Sequence, residues 1–164
     1  MDVLKIYEYA LQREREGRDF FLQNAARFGH AAVVGAFGKL AEEEERHIQF
    51  IQNLIDALQT VGLGGPELGE QMEESGFFSE RAASELLDQT IIEAMVPDLA
   101  VLRTAYLIER DFAEFYESSA MQVQDETAKK SLEMLARWER THEELFKSLH
   151  DRAFEVYSTM PWGG

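Results

Sequence analysis

The chain has 164 residues, 45% of them apolar and 29% charged, which fits a single globular domain of about residues 1–164. Its net charge of -15 argues against a nucleic-acid binder, whose affinity rests on lysine and arginine set against phosphate. With no cysteine, the chain has no disulfide, no thiol nucleophile and no cysteine-ligated zinc or iron–sulfur site.

The N-terminus, Met1-Asp2-Val3-Leu4-Lys5-Ile6, lacks a basic segment followed by an apolar stretch. No secretory signal is expected, and a reducing cytoplasm is the expected compartment. No apolar run reaches the roughly 18 residues of a membrane span. A first helix is expected from about Asp2 to Phe28, with Gly29 as the break, and a second from about Ala31 to Val61. Gly62-Leu63-Gly64-Gly65-Pro66 ends this first hairpin and opens a long connection over about 62–97, with a short helix near Glu80–Glu93. Pro97-Asp98 opens a third long helix that continues to about Gln124. Asp125 is placed to cap a fourth, over about Glu126–Tyr157, and residues 158–164 form an aperiodic tail. Two tight hairpins (about 2–61 and 98–157) joined by one long crossover give an all-α four-helix bundle. The long connection also allows two chains to exchange hairpins in a homodimer.

The second helix carries a stripe at alternating three- and four-residue spacing: Phe37, Leu40, Glu44, His47, Ile51, Leu54 and Leu58. The fourth helix repeats it as Leu132, Leu135, Glu139, His142, Phe146, Leu149 and Ala153. In both, the two polar residues sit in the middle of a stripe that should be buried. The first helix places Tyr7, Glu14, Phe21 and Phe28 seven apart, and the third places Leu102, Glu109, Tyr116 and Val123 likewise. Glu14 and Glu109 are separated by 95 positions, as are Glu44 and Glu139, His47 and His142, and Arg15 and Arg110. The hairpin is duplicated.

Glu14 and Glu44 lie 30 positions apart with their midpoint at residue 29, and Glu109 and Glu139 lie 30 apart with theirs at 124. Residues equidistant from an antiparallel turn share a height, here roughly 20 Å from it at 1.5 Å per residue. Face-to-face hairpins would therefore bring four carboxylates and two imidazoles into one layer. Buried without partners, each carboxylate would cost several kcal/mol. No lysine or arginine stands in the seams to offset them, whereas two divalent cations would neutralise all four. One imidazole and several carboxylates per metal suit iron first, manganese second, and zinc or a mixture third. Glu42, Glu43 and Glu45 are read as a solvated face. His30 and His150 lack a glutamate three residues before them, and Met95, Met121 and Met134 are read as core filler. For Tyr116, two turns beyond Glu109, a redox or proton-transfer role and a hydrogen-bonded core position both stay open.

Glu14, Glu44-Glu45-Arg46-His47, Glu109 and Glu139-Arg140-Thr141-His142 resemble the paired Glu…Glu-x-x-His motifs of the rubrerythrin and ferritin-like superfamily, over roughly residues 4–155. The resemblance implies a ferritin-like bundle holding two iron ions. It implies that Glu44 and Glu139 bridge them, that Glu14 and Glu109 are terminal ligands, and that His47 and His142 bind one metal each. It further implies peroxidase or ferroxidase chemistry on hydrogen peroxide or dioxygen; metal sequestration or a structural clamp is the non-catalytic alternative. Two departures stand out. The cysteine-ligated rubredoxin module of rubrerythrins has no counterpart here, so a peroxidase would need a separate rubredoxin-like electron donor. The additional glutamate that rubrerythrins tend to carry one turn after the third-helix ligand is replaced by Phe112, so the redox-linked ligand swap is not carried over.

Overall fold

The computed structural model describes residues 2–60, 65 and 88–161. Helix α1 spans Val3–Ala25 and α2 spans Ala31–Thr60; α3 is the short Gln89–Met95, followed by a 3-10 turn at Val96–Asp98; α4 spans Leu99–Gln122 and α5 spans Glu126–Thr159. No strand occurs among the described residues. The fold is an all-α ferritin-like bundle of four long helices, as the seams implied.

The helix starts follow from local chemistry. Asp2 accepts from the Leu4 backbone N–H at 3.1 Å and Asp125 from that of Ala128 at 2.7 Å, satisfying N–H groups that the first turn leaves orphaned. Several boundaries differ from the sequence reading. Helix α1 stops at Ala25, three residues short of Phe28, because residues 26–30 must reverse the chain; Phe28 still turns inward and is buried. Pro97 lies in the 3-10 turn, so α4 opens at Leu99, and it ends at Gln122 because Val123 adopts an extended backbone. Helix α5 runs on to Thr159, two residues past the expected end. Of the short crossover helix expected over 80–93, residues 80–87 lie outside the described residues, as do Val61, most of the glycine-rich stretch after it, and 162–164.

Two apolar clusters fill the bundle, one at each end. The first gathers Ile6, Tyr7, Phe50, Ile51, Leu54, Tyr116, Leu132, Leu135 and Trp138. The second gathers Phe21, Phe37, Leu40, Ile92, Met95, Leu102, Phe146 and Leu149. Each large side chain contributes about 1.5–3 kcal/mol on burial. The α1/α2 turn lies at the second cluster and the α4/α5 turn at the first, so the two hairpins point in opposite directions. The end of α2 lies beside the first cluster, through Leu54 and Ile55, whereas α3 lies within the second, through Ile92 and Met95. This arrangement places the six polar seam residues midway between two apolar cores.

Candidate metal centre

Glu14 on α1, Glu44 and His47 on α2, Glu109 on α4, and Glu139 and His142 on α5 are all buried, none more than 1% exposed. They form two quartets, Glu14–Glu44–His47–Glu139 and Glu44–Glu109–Glu139–His142; within each quartet, one donor atom per residue lies within 4.8 Å of the others. Glu44 and Glu139 belong to both. Either quartet offers three carboxylates and one imidazole, a donor set for one cation, and the shared pair joins the two sites.

Both imidazoles turn Nδ1 inward. His47 Nδ1 lies 2.8 Å from Glu139 and 3.2 Å from Glu14, and His142 Nδ1 lies 3.3 Å from Glu44 and 3.5 Å from Glu109. All six carboxylate oxygens of Glu44, Glu109 and Glu139 are buried without a hydrogen bond of acceptable geometry. Buried carboxylates lacking donors are costly, and cations at the centre of each quartet would satisfy them. The donor chemistry fits a pair of metal ions.

The electrostatics point the same way. Burial first, then the charges of Glu139 and Glu44, hold the Glu14 carboxyl well above its ordinary range, and burial with Glu44 and Glu139 does the same to Glu109. Burial also opposes ionisation of Glu44 and Glu139, but the neighbouring imidazoles outweigh it and hold both below the usual range. Burial disfavours the imidazolium forms too; there the carboxylates outweigh it, holding His47 and His142 well above their usual value. The shared pair is thus the more acidic and the outer pair the less.

Tyr116 reaches across the bundle and donates its hydroxyl to Glu14 Oε1, the carboxylate of the opposite hairpin rather than Glu109 on its own helix. Its counterpart 95 residues earlier, Phe21, packs against Phe37 and Phe146 instead. Phe112, where the additional glutamate of the resembling family would stand, is buried above Gly17: a Cβ on Gly17 would come within 3.0 Å of the Phe112 ring and 3.6 Å of Glu44 Oε2. The missing side chain at 17 is what lets the ring lie there.

Glu43 corrects the sequence reading. Glu42 and Glu45 are exposed as expected, but Glu43 is buried and its Oε2 lies 2.6 Å from His142 Nε2. The imidazole donates its outer N–H to Glu43, so that once the ring gives up its second proton the Nδ1 lone pair faces the quartet. A signal was available: Glu43 is four residues before His47 on the same helix face, and its duplicate is the large apolar Trp138. That indole stacks on His47 at 5.0 Å and 18°. In each hairpin, then, the residue before the shared glutamate touches the histidine of the other. Outside the centre, Glu143 accepts from Arg110 at 2.7 Å and from Arg140 at 2.5 Å, tying α4 to α5, while Arg18 donates to Glu45 at 2.8 Å and ties α1 to α2. His150 lies against Tyr106 and Phe154, away from the centre. Met95 and Met134 are core residues, but Met121 is 79% exposed, so it fills no core.

A ferritin-like bundle with a buried carboxylate–histidine layer defines the class to which the chain belongs. The model of the rubrerythrin family matches residues 5–150, most of the length, and the chain belongs to that family. No curated protein and no solved structure matches it. No described helix is long and apolar enough to cross a membrane.

Proposed function

We infer that this chain is a non-haem dimetal protein, with iron the leading metal and manganese the next, whose reduced centre reacts with hydrogen peroxide or dioxygen. The six ligands in this reading are Glu14, Glu44, His47, Glu109, Glu139 and His142. The observation that carries it is the sharing of Glu44 and Glu139 between two otherwise separate quartets, since carboxylates common to both sets would hold two cations as neighbours, within reach of one small oxidant. When bound, two redox-active ions supply one electron each to an O–O bond.

The rest of the chemistry belongs to the protein. His47 and His142 direct Nδ1 to their own quartets, and Glu43 fixes the ring and tautomer of His142. Tyr116 orients Glu14 through its hydroxyl and keeps a proton at that carboxylate's edge. The apolar clusters on either side keep bulk water out, which preserves the strength of these polar contacts. A separate rubredoxin-like donor would return the centre to its reduced state and complete a peroxidase cycle. The absence of cysteine supports a second reading, in which the chain oxidises and sequesters iron with no turnover.

Turnover distinguishes them. Peroxide should oxidise the diferrous protein, with ferric absorption appearing in the optical spectrum, and an added donor should restore it over many cycles. Oxidation that occurs once and stalls with every donor would favour sequestration; no oxidation at all would defeat the redox reading.

A further inference from the structure

An electron that reduces this centre must cross the protein from outside, because all the residues that surround it are buried. One continuous line of aromatic contacts leads from solvent to a ligand. Tyr9 on α1 is 47% exposed. Its ring centroid lies 5.0 Å from that of Phe115 on α4, at 60°. Phe115 lies 5.3 Å from Tyr116, at 59°. The hydroxyl of Tyr116 donates to Glu14, inside the centre.

We propose that electrons from a separate one-electron donor enter at Tyr9 and reach the centre through Phe115 and Tyr116. This rests on the redox reading above and adds the point of entry. Electron tunnelling decays steeply with the width of each gap, and rings in contact, joined at the end by a hydrogen bond, leave no wide gap along the line. In each transfer the donor loses one electron and the oxidised centre gains it. Tyr116 keeps its phenolic proton and no bond of the protein forms or breaks along the route, so two such transfers, with charge-balancing protons drawn from solvent, would return a pair of metals to the reduced state.

The duplication supplies an internal comparison. Ninety-five positions separate Phe20 from Phe115, Phe21 from Tyr116, and Tyr9 from Thr104. At the counterpart of Tyr9 there is no ring. At that of Tyr116 there is no hydroxyl, and Phe21 is wholly buried between Phe37 and Phe146. Each end of the line, the exposed ring of Tyr9 and the hydroxyl link of Tyr116, has no equivalent at its duplicated position.

A chain free of cysteine can carry one label at one place. Glu8→Cys and Arg103→Cys each accept a thiol-reactive ruthenium photoreductant with the Tyr9 ring left in place, and the two exposed positions are matched: residue 8 precedes Glu14 by as many residues as 103 precedes Glu109. After oxidation of the iron-loaded protein with peroxide, flash reduction of the centre is followed by transient absorbance. Reduction from position 8, beside Tyr9, should be faster than from 103 by about tenfold or more, a barrier difference of at least about 1.4 kcal/mol. Phe115→Leu in the chain labelled at 8 should remove that excess while metal content is unchanged. Equal rates from the two positions would overturn the route whatever Phe115→Leu does, and so would an excess that survives Phe115→Leu. An unlabelled chain that takes up no metal, or whose iron peroxide does not oxidise, fails at an earlier point and defeats the proposed function together with the route.

Discussion

Glu43 and His142 meet across the α2–α5 interface, carboxylate Oε2 to imidazole Nε2 at 2.6 Å, with both side chains out of water. Outer partners of this kind commonly change metal affinity about 10- to 100-fold. Glu43→Ala should weaken one of two binding events by that order and leave the other, on the Glu14–Glu44–His47–Glu139 quartet, near its original strength. Glu43→Gln, whose carbonyl still accepts the N–H, should fall between. Calorimetric titration with ferrous or manganous ion reads both events; equal weakening of the two would mean that Glu43 acts on the whole bundle.

Without metal, stability should fall as pH rises from mildly acidic to alkaline. Glu14, Glu109, His47 and His142 all hold their protons more tightly folded than unfolded. The folded state therefore binds more protons between the unfolded and folded pKa values, and the stability these groups give is lost as pH climbs through the folded values. Metal reverses the sign, since cations must displace those protons and acid drives them off. Urea unfolding across a pH series, with and without chelator, should give slopes of opposite sign in the two forms.

Tyr116→Phe should keep both metals bound yet lower the stability of the metal-free chain by about 1–3 kcal/mol, the range for losing a buried hydrogen bond to an acidic group. Metal content and denaturant midpoints measure the two effects separately. Loss of metal with unchanged stability would contradict this role.

Two helical glycines should respond oppositely to alanine. Nothing lies within 4 Å of a Cβ added at Gly38, so Gly38→Ala should stabilise by about 0.5–1 kcal/mol through helix propensity alone. At Gly17 the Cβ would meet the Phe112 ring at 3.0 Å, and the same substitution should forfeit that gain or destabilise. Thermal melts of the two variants compare them directly.

Much of this centre was legible in the sequence because a buried seam tolerates few interruptions. Glu44–His47 and Glu139–His142 break otherwise apolar stripes, the 95-residue repeat pairs them, and the 30-residue spacing within each hairpin sets a common height. All six residues are buried where that reasoning placed them. Glu43 escaped it because the run Glu42–Glu45 reads as a solvated face, and only the α5 surface opposite decides which of its carboxylates turns inward. Tyr116 was placed near the centre, but its partner Glu14 lies on another helix, a choice made by side-chain reach across the bundle. Helix ends moved by a few residues wherever the chain had to turn, at Ala25 and at Gln122.

The sharing of Glu44 and Glu139 is tested most directly by metal stoichiometry. The wild-type chain should titrate with two iron or manganese ions. His142→Ala should lose mainly one, and Glu139→Ala, which damages both quartets at once, should fall well below two while its helical circular dichroism persists. Two ions retained at full affinity in Glu139→Ala, or none bound by the wild-type chain, would contradict the account.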